Sequence, residues 1–496
     1  MNKDERDEKA PLPAQQSGGE SEPLAQQSGG ESDPLPAEES GADGAPAVGA
    51  KARKTTRRKV FLAVCAVLAA AVIFLAGFFT YYATLPSGAR ALLWMWGEVD
   101  ANYYYDVQED DFWNAAIDGA EGVLDQYSEY YSPDEYAALE SSYAGQMEGT
   151  GLSFFTGTNR VSRVAIGSPV FFANGSAGTV QEGMFLTGAG TDADALTVVS
   201  DSTSATAAFA PFEDGDTVYL RFSVENDPAA ADSFTLTVTF SAYTESYVLY
   251  ACGGRAYAYT YDENGSAHWT DVSAYVTQDE AVNGDTAYIR IVRFAGDAAT
   301  AFARAAMQYQ ADGATSLLLD LRNNGGGRMD ILQRIASYLL RDATSSSEVV
   351  QTARFKDGSE ERYVAEGNYF AEFFGDSAVY VAANVNSASA SEALIGAMYS
   401  YGTVSYADIY LTKLGENTAR TYGKGIMQTT FTNIGGGAVK LTTAQIYWPN
   451  GTCIHGVGIT ENDSDASGSP QTVAAESNAD YNNAALTAML ASIAAR

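Results

Sequence analysis

The stretch AVYVAANVNSASASEALIGAM, residues 378–398, decides the fold class of this 496-residue chain. Its first six residues are apolar and partly branched, which predicts a buried strand, and its last six predict a helix. The same succession precedes it, with strands predicted at 287–294 and 316–322 and helices at 298–310 and 329–340. Strands that alternate with helices need crossover connections, so we predict an α/β core.

Two short motifs carry the candidate chemistry, SASASE at 387–392 and GKGIMQ at 423–428. A serine hydroxyl is a poor nucleophile at its free pKa and needs a neighbouring base. The chain has only two histidines, His268 and His455, and neither lies in a triad-like motif. A lysine can replace histidine when burial lowers its pKa from about 10.4 towards neutrality. We therefore hypothesise a serine–lysine pair; the alternative is that both motifs are ordinary small-residue turns.

The N-terminal region predicts a membrane anchor. Residues 1–59 are polar, end in a basic cluster and contain too little apolar surface to fold, so we expect a disordered tail. Residues 60–83 carry no charge and are long enough to cross a bilayer. The basic cluster should stay in the cytoplasm, which places the rest of a single-pass cell-membrane protein outside. A cleaved signal peptide is the alternative, but the apolar run is longer than a typical signal core.

The remainder divides by pattern into a multidomain α/β chain. Residues 86–147 predict a helical segment, and helices at either end of the chain could pack on a neighbouring domain or pair two copies as a homodimer. Short β-like runs over 148–242 predict a β domain. We interpret 243–285 as an insertion or linker, 286–467 as the core, and 468–496 as a C-terminal tail with a helix.

A glycine-rich turn opens the β domain at Gly149, Thr150, Gly151 and Leu152. Such a turn before a strand can present backbone N–H groups to the terminal carboxylate of a bound peptide. A second glycine run, at 325–327, follows a predicted strand and lets backbone N–H groups approach a ligand closely. No nucleotide-binding pattern surrounds it.

Composition limits the partners. The formal net charge of −33 argues against a nucleic-acid partner. Cys65 lies in the apolar span, which leaves at most one disulfide, between Cys252 and Cys453, and we expect free thiols. The cysteines form no metal-binding pattern, so we expect no metal site and no cofactor.

Taken in order, these motifs resemble the C-terminal processing (tail-specific) peptidase family of serine proteases. The resemblance extends from about residue 92 to 459 and rests on eight segments: LDQYSEYYSPDEY at 124–136, GTGLSF at 149–154, GSP at 167–169, AYIRIVRF at 287–294, DLRNNGGG at 320–327, SASASE, GKGIMQ, and KLTTAQIYWPNG at 440–451.

The resemblance implies roles for five residues. Ser389 would be the nucleophile, Lys424 its general base, and Gln428 the residue that orients the lysine. The backbone N–H groups of Gly326 and Ala390 would form the oxyanion hole. The family's PDZ domain maps on 148–242, where it would hold the C-terminal tail of a substrate protein, and such a domain often gates the active site.

Two features depart from the family pattern. The glycine turn carries Gly325 where the family usually has proline, and Lys424 follows Ser389 by 35 positions, which is more than is usual. They motivate an alternative, a weak or inactive protease domain that serves as a peptide-binding scaffold. An acyl transferase acting on cell-wall precursors is disfavoured, because Ser389 and Ser391 do not begin an S-x-x-K pattern.

Overall fold

The computed structural model describes residues 51–262, 264–277, 282, 284–414, 417–475 and 483–496. The tail expected to be disordered over residues 1–50 lies outside them. The described residues form two compact units, 51–123 and 124–496.

The first unit consists of three helices, α1 (Lys51–Thr84), α2 (Ser87–Asn102) and α3 (Glu109–Glu121). Helix α1 begins nine residues before the predicted span, so the basic cluster is helical rather than disordered. Lysine, arginine and alanine are good helix formers, and a helix propagates readily once the apolar segment has nucleated it. The apolar part, Lys59–Thr84, is 26 residues long with a mean hydropathy of 2.8. At 1.5 Å per residue it would span about 39 Å, which is enough to cross a membrane.

The second unit starts with β1 (Glu129–Tyr131) and α4 (Pro133–Tyr143). Ser132 and Glu135 form a capping box at the start of α4, and Pro133 takes the first helical position. The Ser132 hydroxyl oxygen accepts from the Glu135 backbone N–H (3.4 Å), and the Glu135 carboxylate accepts from the Ser132 backbone N–H (2.8 Å). The expectation of one helical segment over 86–147 is wrong, since the stretch from residue 124 onward belongs to the second unit. Strand β1 pairs antiparallel with a distant strand through Glu129 and Lys440, a long-range contact that local periodicity cannot reveal.

A β domain with its own apolar core follows. Its elements are β2 (Gln146–Gly149), β3 (Leu152–Phe154), β4 (Val161–Val164), α5 (Pro169–Ala173), β5 (Phe185–Gly190), β6 (Thr197–Val198), α6 (Ser202–Phe209), β7 (Thr217–Ser223), β8 (Phe234–Thr239) and β9 (Ser241–Thr244). The largest sheet of the β domain is antiparallel and has the strand order β6-β5-β7-β8. In addition, β3 pairs with β4, and β2 pairs with β9. Leu186, Leu220 and Leu236 are fully buried between these strands and helix α6.

The remaining elements build the core. They are β10 (Val248–Cys252), β11 (Arg255–Tyr261), β12 (Ala267–Asp271), β13 (Thr286–Ile291), α7 (Ala298–Asp312), β14 (Ser316–Asp320), α8 (Met329–Ala336), β15 (Val349–Phe355), β16 (Glu360–Val364), α9 (Phe370–Phe373), β17 (Ala378–Ala383), α10 (Ala390–Ser400), β18 (Ile409–Leu414), β19 (Ile426–Thr432), β20 (Ala438–Tyr447), β21 (Gln471–Ala475) and α11 (Asn483–Ala494), with a 3₁₀ turn at Tyr406–Asp408.

Eight strands form the main sheet in the order β12-β11-β10-β13-β14-β17-β18-β21. The interpretation of 243–285 as an insertion or linker is therefore wrong, because β10 to β12 extend the sheet antiparallel from β13. Their tyrosines carry both an apolar ring and a hydroxyl, so the buried face does not show as a simple alternation. The expected C-terminal tail also contributes to the sheet, since β21 pairs in parallel with β18.

The order of the parallel strands determines where the candidate motifs meet. Strands β13, β14 and β17 are neighbours, and Asp320 at the end of β14 is in register with Ala382 of β17. Parallel strands end at the same edge of a sheet, so the turn after β14 and the turn after β17 lie side by side. The second motif reaches this edge from another sheet, in which β19 pairs with β20, and β20 also pairs with β1 and β15.

Helix α10 packs without spare room against a buried tryptophan. A Cβ atom added at Gly396 would lie 2.2 Å from the Trp448 ring, which is itself 3% exposed. We predict that Gly396→Ala lowers the free energy of unfolding by about 1–3 kcal/mol, because the ring cannot move aside without displacing the core. Urea denaturation followed by circular dichroism measures this. Gly119→Ala in α3, where no heavy atom lies within 4 Å of the added carbon, is the control and should not destabilise the protein; equal effects would contradict the prediction.

Candidate active site

Ser389 lies at the tight turn between β17 and α10. Its backbone has φ +60° and ψ −112°, a conformation that costs a non-glycine residue about 1–3 kcal/mol. The other two hydroxyls of the SASASE motif hold this turn in place. The Ser387 hydroxyl donates to the Leu321 carbonyl (2.8 Å), and the Ser391 hydroxyl donates to the Asn324 carbonyl (2.8 Å). The Ser387 and Ser391 hydroxyls thus have structural roles at the turn that carries Ser389, the candidate nucleophile.

A single carboxylate, that of Glu392, joins the turn of Ser389 to the loop that carries Lys424. Glu392 is fully buried, in the first turn of α10. One of its oxygens accepts from the backbone N–H groups of Ser389 (3.0 Å) and Lys424 (2.9 Å). The other accepts from the Thr421 hydroxyl (2.6 Å) and the Gly423 N–H (2.7 Å). Burial raises the pKa of Glu392, and these four donors oppose the shift.

Lys424 is buried, with 5% of its surface exposed. Burial lowers the pKa of its amine to about 8, and the positive charge of Lys440 adds to the effect, while Asp125 and Glu392 oppose it. Its Nζ lies 4.8 Å from the centroid of the Tyr127 ring. A substantial fraction of the amine is therefore neutral near physiological pH, which a general base requires.

Tyr127 is a site residue that sequence reasoning missed. Its hydroxyl donates to the Tyr422 hydroxyl (3.3 Å), and burial together with this neighbour raises the pKa of Tyr127 to about 12. The residue follows the short turn at Asp125, whose carboxylate accepts from the Tyr127 backbone N–H (3.0 Å). The only signal for Tyr127 in the sequence is its place within LDQYSEYYSPDEY, a stretch that the pattern assigns to the helical segment 86–147.

The glycine turn touches the nucleophile segment. A Cβ atom added at Gly326 would lie 2.9 Å from the Ser389 Cβ and 3.0 Å from the Ala390 nitrogen. The Gly326 backbone, at φ +103°, is also in the region that favours glycine. Its N–H donates to the Asn324 side-chain oxygen (2.9 Å). The backbone N–H groups of Gly326 and Ala390, the predicted oxyanion hole, are thus adjacent to Ser389. The N–H of Gly326 is already bound to Asn324.

Gln428 lies on β19, opposite Thr442 of β20, and its side-chain amide donates to the Thr442 hydroxyl (3.1 Å). Its side-chain oxygen is buried and has no hydrogen-bond partner among the described residues. The predicted role in orienting Lys424 stays a prediction, for which this oxygen is the available acceptor.

The four residues of the glycine-rich turn lie in the β domain. Gly151 packs against Ser168, which an added Cβ would approach to 2.0 Å. The carbonyl of Thr150 accepts from the Val170 N–H (3.0 Å), and the carbonyl of Gly151 accepts from the Ala165 N–H (2.9 Å). Gly149, at φ +125°, ends β2, and Leu152 begins β3. These contacts fix the turn, and its use in peptide binding stays a prediction.

Buried ion pairs support the glycine turn from below. Asp320 and Arg322 are both fully buried and form an ion pair, and the Tyr288 hydroxyl donates to Asp320 (2.9 Å). Burial alone would raise the pKa of Asp320, but the Arg322 guanidinium holds it below its usual value. Glu182 of the β domain forms an ion pair with Arg290 on the neighbouring strand β13. The strand end before the turn is therefore rigidly held by charge as well as by packing.

An open cleft of about 720 Å³ lies beside the two motifs. The backbone N–H of Tyr422 donates to the Ser387 carbonyl (3.0 Å), so the cleft borders both motif segments. Its lining residues come from four separate stretches of chain: Asp125, Gln126, Tyr127, Val385, Arg420, Tyr422, Gly423, His455 and Gly456.

Comparison with known families identifies the core. The model of peptidase family S41 matches residues 285–464, a range that contains Gly326, Ser389 and Lys424. Residues 285–464 belong to peptidase family S41. The resemblance to the C-terminal processing peptidases is thereby confirmed for this part of the chain.

Named relatives agree with this family. The chain is 26% identical over 363 residues to a "Probable CtpA-like serine protease" of Staphylococcus saprophyticus, covering 73% of this chain and 62% of that one. It is 33% identical over 172 residues to a "Carboxyl-terminal-processing protease" of Synechocystis, covering 35% of this chain and 36% of that one. The alignments thus span between about a third and two thirds of these relatives.

Solved structures with similar folds include the photosystem II D1 C-terminal processing protease, with 20% identity, a TM-score of 0.43 and coverage of 77% of this chain and 94% of that one. Another is a putative S41 protease from Bacteroides fragilis, with 14% identity, a TM-score of 0.46 and coverage of 79% and 91%.

Cys65, Cys252 and Cys453 are free thiols in the described structure. Within the described ranges, no group of three or more His, Cys, Asp or Glu side chains is arranged to hold a metal ion.

The carboxylate of Glu392 offers a first test of the site. We predict that Glu392→Ala lowers the free energy of unfolding by at least about 3 kcal/mol, because it leaves three buried N–H groups without their acceptor. Urea denaturation measures the loss. Glu360→Ala, which removes an exposed ion pair with Arg354, is the matched control and should cost less than about 1 kcal/mol. A loss at Glu392 no larger than that of the control would refute the bridging role.

The burial of Lys424 offers a second test. Its folded-state pKa of about 8 lies below the ordinary value of 10.5, so between these values the unfolded chain binds more protons and stability rises with pH. Below about pH 8 the buried amine is charged in the folded protein, and the wild type carries the full destabilising cost of burying that charge. We predict that Lys424→Met is more stable than wild type at pH 7, and that the difference shrinks as the pH approaches 10. Denaturation midpoints at pH 7, 8.5 and 10 measure it, and a pH-independent difference would contradict the assigned pKa.

Proposed function

We propose that this protein is a membrane-anchored serine endopeptidase that acts outside the cytoplasmic membrane on proteins recognised by their C-terminal region. The observation that carries the proposal is the Glu392 bridge, which holds the backbone of Ser389 and that of Lys424 on one carboxylate oxygen. A hydroxyl nucleophile and a lysine of lowered pKa, placed on adjoining segments, are the two components of serine–lysine hydrolysis.

The catalytic cycle follows from these groups. Neutral Lys424 accepts the proton of the Ser389 hydroxyl as its oxygen attacks the scissile carbonyl. The oxyanion takes hydrogen bonds from the N–H groups of Ala390 and Gly326, a contribution whose loss typically reduces the rate by about 10²–10³. The Gly326 N–H must first exchange its Asn324 acceptor for the oxyanion. The lysine then protonates the leaving amine, and water hydrolyses the acyl-enzyme through the same base.

Substrate recognition is assigned to the β domain as a PDZ-like module. Strand β3 follows the glycine-rich turn and pairs on one edge with β4. No strand among the described residues pairs with its other edge, which is therefore available to an added peptide strand. Phe154 at the end of this strand lies 6.3 Å from Phe209 of α6, measured between ring centroids. A strand edge beside a helix, entered from a turn rich in N–H groups, suits an extended peptide with a free C-terminus.

The anchor and the location rest on the N-terminal helix. The apolar part of α1 is long enough to span a bilayer, and the basic cluster before it favours a cytoplasmic N-terminus. The protease core would then lie in the extracytoplasmic space, where its open cleft could receive the C-terminal tails of substrate proteins.

A second candidate, a peptide-binding scaffold with a weak or inactive protease domain, is favoured by the internal hydrogen bond of the Gly326 N–H. A serine-reactive fluorophosphonate probe distinguishes the two candidates. Stoichiometric modification at Ser389 supports the protease, and the absence of modification, with peptide binding retained, supports the scaffold.

Activity should depend on both members of the pair and on pH. We predict that Ser389→Ala abolishes cleavage of an unfolded protein with an apolar C-terminus and that Lys424→Ala slows it by about 10²–10⁴-fold, the usual contribution of a general base. The neutral fraction of an amine with a pKa of about 8 increases about tenfold between pH 7 and pH 9. The wild-type kcat/KM should therefore rise about tenfold over this interval.

Initial rates from pH 6 to pH 10 measure this dependence. Arg354→Met, which changes an exposed side chain of β15, is the control and should follow the wild-type profile. Unchanged turnover in either alanine variant, or a rate that falls as the pH rises from 7 to 9, would overturn the assignment of the pair.

A further inference from the structure

The cleft beside the two motifs contains an arginine that the catalytic cycle does not use. Arg420 lies one residue before Thr421, whose hydroxyl binds Glu392, and it lines the cleft together with Tyr127 and Tyr422. In a chain whose net charge is −33, a positive side chain at this place requires an explanation.

The guanidinium of Arg420 is held by the backbone of its own loop. Its Nε donates to the Thr421 carbonyl (3.0 Å), and its Nη2 donates to the Tyr422 carbonyl (2.9 Å). Both acceptors are neutral, and no acidic side chain within the described residues forms an ion pair with Arg420. The orientation of the guanidinium is therefore fixed, while its positive charge is not neutralised and its remaining N–H groups can face the cleft.

The other charged or titratable groups of the cleft do not compete for this role. Asp125 lies on the same cleft, but its carboxylate accepts from the Tyr127 N–H (3.0 Å), and the Ser128 and Thr442 side chains help to keep its pKa low. His455 is exposed, and Lys424 is buried and needs its neutral form. Arg420 is the preorganised cation in this part of the chain.

We infer that Arg420 is a specificity-determining residue that binds a carboxylate of the substrate in the active-site cleft. The inference rests on the proposed function and extends it. A planar guanidinium offers parallel N–H donors that match a carboxylate, and such charge-assisted hydrogen bonds are strong. Fixing the guanidinium in advance reduces the conformational entropy lost on binding.

The carboxylate can come from two sources. Extended chain advances about 3.3–3.6 Å per residue, so in a substrate tail that the β domain does not hold, a cut a few residues from the end leaves the terminal carboxylate within the cleft. An acidic side chain near the scissile bond supplies the same group. Both present the same chemistry to Arg420, and peptides can separate them.

The experiment compares three internally quenched peptides on the full-length protein in detergent micelles. They share one alanine-rich sequence and end in a free carboxylate, in a carboxamide, or in a carboxamide with one glutamate near the end. We expect the free acid to have a KM about 10–100-fold lower than the plain amide, with kcat nearly equal. In Arg420→Met this ratio should fall to about one. Arg420→Lys, which keeps the charge but not the planar fork, should be intermediate.

Arg354→Met, an exposed arginine paired with Glu360, is the matched control and should keep the wild-type ratio. Recovery of a low KM by the glutamate peptide identifies a side-chain carboxylate as an alternative ligand and also supports the inference. An acid-to-amide ratio near one in the wild type for both carboxylates, or a ratio unchanged in Arg420→Met, overturns it.

Binding keeps this test separate from the proposed catalysis. Dissociation constants of the same peptides, measured by fluorescence anisotropy on Ser389→Ala with and without Arg420→Met, need no turnover. If the wild type cleaves none of the peptides but binding still depends on Arg420 and the carboxylate, the proposed hydrolysis fails and the inference stands. If the wild type cleaves the peptides but Arg420→Met changes neither the KM nor the dissociation constant, the proposed hydrolysis stands and the inference fails.

Discussion

The buried carboxylate of Glu392 is the interaction on which the rest of the site depends. It accepts four hydrogen bonds from groups that lie on two segments about thirty residues apart in sequence. A buried carboxylate without partners would be very costly, so the fold is stable only when both segments are in place. The requirement to satisfy one charge thus also positions Ser389 and Lys424, and structure and chemistry share the same constraint.

The site concentrates local strain and desolvation that the surrounding core must offset. Ser389 holds a left-handed backbone conformation, and Lys424 keeps an amine in a place where its charged form is disfavoured. Both features are opposed by rigid support, since the Ser387 and Ser391 hydroxyls fasten the turn, and the buried pair of Asp320 and Arg322 fastens the strand beneath it. The proposed chemistry needs a serine held in a strained backbone conformation and a lysine whose pKa is lowered by burial.

Several parts of the chain besides the SASASE and GKGIMQ motifs contribute to the cleft. Tyr127 comes from a turn before α4, Arg420 from the loop before GKG, and His455 from the segment after β20. The second sheet makes this possible, because β20 pairs with both β1 and β19 and brings the N-terminal stretch of the unit close to Lys424. The cleft is therefore lined by these loops, whereas the Glu392 bridge lies in the buried interior beside them.

The sequence by itself determined the alternation of strands and helices around residues 378–398, the apolar span of α1, and the two motifs that contain Ser389 and Lys424. These are local patterns of apolarity and residue type, which a window of neighbours reveals. Only the tertiary structure decided that β10 to β12 belong to the main sheet, that Tyr127 lies over Lys424, and that Asn324 engages the Gly326 N–H. Each of these contacts depends on how the backbone folds in space, and most of them join segments that are distant in sequence. Such contacts are selected by packing and by the need to satisfy buried polar groups, which no local sequence period encodes.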